Sequence, residues 1–108
     1  MKRGDVAIVA HGEFGRPRPA VIVQADELGD ATTTVLVCPI TSEVTERLPV
    51  RPVMEASAGS GLRRRSQIMT DKMVAVPRER VRQVIGTIDT GTRDRLDQAL
   101  LLVLGLAG

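Results

Sequence analysis

Short runs of β-branched and aliphatic residues recur along this chain, and turns, most of them containing glycine or proline, separate one run from the next. Residues 6–10 form the first run, and residues 20–23 form the second, directly after the proline-rich stretch 16–19. Such runs, spaced by about 8 to 12 residues, are typical of the strands of a small sandwich or barrel. Alternating strand and helix units, which would build a parallel sheet, do not appear.

The same pattern predicts seven strands in all. They cover residues 6–10, 20–23, 32–40, 48–53, 65–69, 72–76 and 84–88. We expect 48–53 to be an edge strand because prolines flank it, and we expect 65–69 and 72–76 to form a hairpin around Thr70-Asp71. The segment 56–61 consists of small residues, which predicts a mobile loop.

Helical spacing appears at the end of the chain. Asp89 is a good N-cap residue, and apolar residues then recur on one face of the predicted helix. These residues are Leu96, Ala99, Leu100, Val103 and Leu104. Pro77 predicts a further short helix that extends to Arg82. The predicted fold is therefore mainly β with minor α: a small, strongly bent antiparallel sheet or barrel with a C-terminal helix.

Composition limits both the domain count and the means of binding. The 108 residues are 43% hydrophobic and 26% charged, which predicts one globular domain over residues 1–108. Phe14 is the only aromatic residue, so any binding of nucleic acid must depend on charge rather than on base stacking. The net charge is only +2, but arginines cluster at 63–65 and at 78, 80 and 82. This clustering indicates a local basic surface, or a solvated loop and short helix.

Several kinds of chemistry are excluded by what the chain lacks. With one histidine and one cysteine, and carboxylates without ligand spacing, we predict no metal site and no cofactor. Cys38 lies in a predicted strand and is expected to be a core residue without a disulfide partner. No secretory signal is evident, and the longest apolar run is far short of the roughly 20 residues that span a bilayer. We therefore expect a cytoplasmic protein without a membrane segment.

The order of several short motifs resembles the MazF/PemK toxins. The first three are Met1-Lys2-Arg3-Gly4-Asp5-Val6, Gly15-Arg16-Pro17-Arg18-Pro19-Ala20-Val21-Ile22-Val23 and Pro39-Ile40-Thr41-Ser42. They are followed by Leu48-Pro49, by Gly61-Leu62 ahead of Ser66, by Ile85-Gly86-Thr87-Ile88 and by Leu96-Asp97-Gln98-Ala99-Leu100. Together they cover nearly the whole chain.

This resemblance implies an SH3-like barrel with a C-terminal helix, a homodimer, and an endoribonuclease that cuts single-stranded RNA at short sequences. It also implies that no metal is needed, because the ribose 2′-OH attacks its own phosphodiester and leaves a 2′,3′-cyclic phosphate and a 5′-OH. A small acidic antitoxin with a disordered tail is the implied partner that neutralises the toxin.

Carried over by position, the resemblance assigns the catalytic arginine to Arg18 and the catalytic hydroxyl to Thr41, with Ser42 assisting. Some members of the family carry an acidic residue five positions before that arginine, which makes Glu13 the expected general base, while His11 competes for the role. The remaining residues expected to contact substrate are His11, Arg16, Arg65 and Lys72.

The sequence also departs from the family, and two alternatives stay open. Lys72-Met73-Val74-Ala75 replaces polar residues that could read bases, so the target sequence does not transfer. CcdB toxins share the barrel but inhibit DNA gyrase through a C-terminal helix that typically bears a tryptophan, which this chain lacks. A non-catalytic SH3-like binding module is the second alternative, although the scarcity of aromatic residues argues against a groove for proline-rich peptides.

Overall fold

The computed structural model of the protein describes residues 1–12 and 15–107. Within these residues the regular elements are β1 (Asp5–Val9), β2 (Arg18–Ile22), β3 (Thr34–Thr41), β4 (Val53–Met54), β5 (Ser66–Ile68), β6 (Val74–Pro77), β7 (Val81–Thr87) and α1 (Thr90–Val103). Short 3-10 helices lie at Asp26–Leu28, Thr70–Lys72 and Arg78–Arg80. No helix in this part of the chain has the length and apolar character needed to cross a membrane.

All strand pairs are antiparallel, and the long strand β3 organises them. The strands follow the order β4, β5, β3, β2, β1 and β7, and β6 also pairs with β3. The first half of β3 pairs with β6 and its last two residues pair with β5, so both short strands lie on one edge of β3. The result is a half-barrel with one C-terminal helix, which confirms the predicted fold class.

Bulges in β7 help to bend the sheet. Opposite β1, the register shifts between Val6 and Ala7 and again between Ile8 and Val9. At each shift β7 contributes an extra residue, which increases the local twist and turns the strand out of a flat sheet. The bulges therefore supply part of the curvature of the half-barrel.

Two apolar clusters fill the two faces of the sheet. Val6, Val21 and Cys38 belong to the cluster beneath α1, whereas Ala7 and Ala20 belong to the cluster on the opposite side. Neighbouring residues fall into different clusters because side chains alternate between the faces of a strand. Burial raises the pKa of the Cys38 thiol to about 12, so this cysteine is the predicted core residue rather than a nucleophile.

The C-terminal helix begins as predicted. The Asp89 carboxylate accepts a hydrogen bond from the Thr92 backbone N–H at 2.7 Å. This bond lowers the pKa of Asp89 and satisfies one of the free donors at the helix start. Leu96 and Leu100 are buried against the sheet, whereas Leu102 on the other face is exposed.

The predicted hairpin is wrong. The strands β5 and β6 both form, but each pairs with β3 and neither pairs with the other. The 3-10 helix at Thr70–Lys72 carries the chain along the edge of β3, and the buried Thr70 hydroxyl donates to the Val50 carbonyl oxygen. The strand predicted over 48–53 is also largely wrong, since the chain forms a turn there and becomes extended only at β4.

The segment of small residues at 56–61 is mostly exposed but is attached to the end of β7. Ser60 is buried, and its backbone N–H donates to the Ser57 hydroxyl oxygen at 3.0 Å. The carbonyl oxygen of Gly59 accepts from the backbone N–H of Thr87 at 2.9 Å, so the segment lies against the end of β7. Gly86 allows this close approach because its missing side chain leaves room for the backbone of Gly59 and Ser60.

Replacing Gly86 with alanine is expected to destabilise the fold. An added Cβ would overlap backbone atoms of Gly59 and Ser60, which cannot turn aside as a flexible side chain can. We expect the free energy of unfolding, measured in urea, to fall by about 1 to 3 kcal/mol. Gly91→Ala is the matched control because its Cβ would meet only the Asp89 carboxylate, at an ordinary contact distance of 3.6 Å, and alanine favours a helix. Equal stability of the two variants would contradict this account.

Candidate active site

An open cleft of about 560 Å³ lies where β2 begins and β3 ends. Three segments form its walls: the stretch that leads into β2, the turn after β3 and the loop before β5. The polar side chains along it belong to Arg16, Arg18, Thr41, Ser42, Glu43, Arg63, Arg64 and Ser66. The cleft thus gathers residues that are far apart in the sequence.

The sheet register brings Arg18 and Thr41 together. Ala20 lies opposite Pro39, and Val21 lies opposite Cys38. The ladder ends there, and Arg18 lies two residues before Ala20 just as Thr41 lies two residues after Pro39, so both come at the same end of the sheet. Their side chains both line the cleft.

Local sequence explains how each of the two is presented. Pro17 and Pro19 favour extended backbone at the residues before them, so the chain enters β2 straight and Arg18 is left exposed at its first position. The Thr41 hydroxyl oxygen accepts a hydrogen bond from the Glu43 backbone N–H at 3.1 Å. Because this bond uses a lone pair of the oxygen, the hydroxyl hydrogen remains available to a ligand in the cleft.

The cleft is strongly cationic. Four arginines line it against a single glutamate, a formal excess of three positive charges. Arg63 and Arg64 are exposed, and the Ser66 hydroxyl donates to the carbonyl oxygen of Arg64 at 2.9 Å, which fixes the loop that carries them. Guanidinium groups bind phosphate through paired N–H donors, so this arrangement suits a phosphodiester backbone.

The structure brings four of the predicted site residues together: Arg16, Arg18, Thr41 and Ser42. His11 lines a smaller adjacent hollow of about 190 Å³, which shares Arg16 with the cleft and also includes Arg80. Glu13 lies outside the described residues.

Two predicted residues are not in the cleft. Arg65 pairs with Glu55 at 2.9 Å and lines a different hollow, beside the start of α1. Lys72 is exposed at the end of the 3-10 helix that follows β5 and is not among the residues of the cleft. Sequence reasoning did not assign Arg63, Arg64, Glu43 and Ser66 to the site, although the run of arginines at 63–65 was the signal for two of them.

Potential metal ligands do not cluster in the part of the chain that the structure describes. No group of three or more His, Cys, Asp or Glu residues there could hold an ion. The positive charge in the cleft comes from arginine side chains.

A small antiparallel half-barrel with an arginine and a hydroxyl at adjoining strand ends, in an open cationic cleft, is an arrangement that suits an anionic ligand such as a phosphodiester. Residues 2–104 match the family of PemK-like, MazF-like toxins of type II toxin-antitoxin systems. The chain belongs to this family. The match favours a MazF/PemK-like toxin over the two alternatives raised by the sequence, a CcdB-like gyrase inhibitor and a non-catalytic SH3-like binding module.

Individual relatives agree with the family match. The chain is 38% identical over its full length to the full length of a probable endoribonuclease MazF from Mycolicibacterium smegmatis. Among solved structures, a Mycobacterium tuberculosis toxin, MazF-mt6, superposes with a TM-score of 0.83 at 22% identity, covering 96% of this chain and 99% of the other. An endoribonuclease in complex with its cognate antitoxin, from a mycobacterial species, gives 0.79 at 20% identity, covering 100% and 96%.

Proposed function

We propose that this protein is a toxin endoribonuclease that cleaves single-stranded RNA at short specific sequences without a metal ion. The observation that carries the proposal is that Arg18 and Thr41 line the same cleft of net positive charge. A relative with 38% identity bears the name of a probable endoribonuclease, which supports the same activity here.

The proposed reaction uses the substrate's own nucleophile. A base removes the proton from a ribose 2′-OH, whose oxygen forms a bond to the adjacent phosphorus. The bond from phosphorus to the 5′-oxygen breaks, that oxygen takes up a proton, and the products are a 2′,3′-cyclic phosphate and a 5′-OH. The extra negative charge on the phosphate oxygens during this displacement is what the protein must stabilise.

Arg18 and Thr41 are proposed to supply that stabilisation. Two N–H groups of the Arg18 guanidinium can donate hydrogen bonds to two oxygens of one phosphate. These hydrogen bonds strengthen as negative charge accumulates on those oxygens. The Thr41 hydroxyl donates to the same phosphate, with Ser42 beside it, while Arg16, Arg63 and Arg64 hold the flanking backbone. Because arginines carry the positive charge, no metal ion is required in this mechanism.

We further propose that the toxin is a homodimer, acts in the cytoplasm and is neutralised by an acidic, partly disordered antitoxin. One structural neighbour is an endoribonuclease bound to its cognate antitoxin. The negative charges of an acidic antitoxin tail would be attracted to the cationic cleft that contains Arg18. Such a tail would compete directly with RNA for the arginines.

The decisive experiment combines a chelator with a modified substrate. Purified protein is incubated in excess EDTA with mixed-sequence single-stranded RNA, and sequencing of the products locates the cleavage sites. An RNA oligonucleotide that contains an identified cleavage site is then made in two forms, one unmodified and one with a single 2′-deoxynucleotide at the scissile position. We expect cleavage in EDTA with 2′,3′-cyclic phosphate ends, and no cleavage at the deoxy site. Cleavage of the deoxy substrate at the same bond would rule out attack by the 2′-OH.

A further inference from the structure

The side chain of Gln67, in the middle of β5, binds the loop that follows the catalytic strand β3. Its amide oxygen accepts from the Thr45 backbone N–H at 2.7 Å. Its amide nitrogen donates to the carbonyl oxygens of Thr45 at 2.8 Å and Arg51 at 3.1 Å. One side chain therefore holds the loop of residues 42–52 at two points, Thr45 and Arg51.

This glutamine is almost completely enclosed, with 3% of its surface exposed. It follows one buried residue and precedes another, so an apolar side chain of similar size would suit the packing of β5. A buried amide requires hydrogen-bond partners, and here both partner residues are in the loop. The amide thus specifies one path for the loop in a way that apolar packing would not.

The loop that Gln67 holds is a wall of the cleft. Gln67 lies directly opposite Thr41 in the ladder between β3 and β5, and Ser42 and Glu43 line the cleft immediately afterwards. The Glu43 backbone N–H is the donor that orients the Thr41 hydroxyl. Since Thr45 is only two residues further along, holding Thr45 restricts the position of that N–H.

The far end of the loop has its own attachments. The Thr70 hydroxyl donates to the Val50 carbonyl oxygen. The Arg51 guanidinium makes two hydrogen bonds to the Asp71 carboxylate, at 2.8 and 2.9 Å, which lower the pKa of Asp71. Loss of Gln67 alone would therefore loosen the half of the loop nearest Thr41 and leave the other half attached.

We propose that Gln67 is a positioning residue for RNA cleavage, which acts by holding the loop that orients the Thr41 hydroxyl. This inference rests on the proposed function. Gln67 touches neither substrate nor the reacting atoms, and its effect passes through the Thr45 and Glu43 backbone to Thr41.

The test compares kcat and KM of the wild type with those of Gln67→Met and Gln67→Glu, using the RNA found in the EDTA experiment. Methionine preserves volume but removes all three bonds, whereas glutamate keeps an acceptor for Thr45 and loses the two amide donations. Misplacing a catalytic group by about 1 Å can cost on the order of a hundredfold. We expect kcat of Gln67→Met to fall about 10- to 100-fold, with KM within about threefold, and a fall at least as large for Gln67→Glu, whose second carboxylate oxygen would face the Thr45 and Arg51 carbonyl oxygens.

Two comparisons separate positioning from general destabilisation. Asp71→Asn weakens the attachment at the far end and is expected to keep kcat within about twofold. In a Thr41→Ala background, Gln67→Met should lower kcat by less than about threefold, because no hydroxyl remains to be positioned. Amide hydrogen exchange at Thr45 should be faster in Gln67→Met than in wild type.

The possible outcomes are distinct. If wild type fails to cut RNA, the proposed function fails and the positioning role falls with it. If wild type cuts RNA and a folded Gln67→Met has wild-type kcat, the positioning role alone is overturned. Losses that multiply in the Thr41→Ala background would also overturn it. Should Gln67→Met fail to fold, Gln67→Glu is judged by the same criteria.

Discussion

Arg18→Ala is expected to lower kcat for RNA cleavage by about a hundredfold to a thousandfold, the usual cost of removing one preorganised donor to a developing negative charge. Arg18 stands at the first position of β2, is exposed, and lines the same cleft as Thr41. Its contribution is largest in the transition state, where the phosphate oxygens carry the most charge. The effect should therefore appear in kcat more than in KM, measured by initial rates on the identified RNA.

Two further variants make this prediction specific. Arg18→Lys keeps the charge but loses the paired N–H donors, so most of the loss should remain. Arg82→Ala removes an arginine that is exposed on β7 and is not among the residues of the cleft, and it should cut RNA as wild type does. An Arg18→Ala protein within about threefold of wild type would remove Arg18 from the mechanism.

The parts of the fold that the sequence predicts well are those with a local signal. The helix α1 was predicted from the Asp89 cap and the spacing of Leu96 and Leu100, which depend on residues within a few positions of each other. The strands β1 and β2 are predicted from unbroken apolar runs, the first of which ends at His11-Gly12 and the second of which follows the proline-rich stretch 16–19. In each case the packing that buries the residues agrees with their intrinsic preference.

The errors occur where pairing is decided by distant residues. The sequence between 65 and 77 reads as a hairpin, because two short strands separated by a brief turn usually pair with each other. Instead the buried Thr70 hydroxyl bonds to Val50, a residue 20 positions earlier, and both strands find a partner in β3. No local pattern records that contact, which exists only once the sheet has formed.

The site divides in a similar way. Arg18 and Thr41 were assigned from the resemblance to the family, and the sheet register then explains why residues so far apart adjoin. The run of arginines at 63–65 indicated a basic surface, but which of them face the cleft depends on the course of the loop. Arg63 and Arg64 line it, whereas Arg65 turns to Glu55. Gln67 carried no sequence signal, because its partners are backbone groups of a loop.

The general base is the remaining question of the mechanism, and it sets two residues against each other. The family resemblance favours Glu13, and His11 competes from the hollow that adjoins the cleft at Arg16. Glu13→Gln keeps the size of the side chain and removes its basicity. We expect it to lower kcat by about a hundredfold to ten-thousandfold, the usual worth of a positioned base, whereas His11→Gln should change kcat only a few fold.

The pH dependence of kcat/KM is an independent test of whether Glu13 or His11 is the general base. A base must be deprotonated to act, so the rate falls on the acidic side of its titration. Only the variant that loses the base should lose this acidic limb, so the profiles of Glu13→Gln and His11→Gln are compared with that of wild type. A large loss in His11→Gln, together with loss of the acidic limb in that variant, would transfer the role to His11.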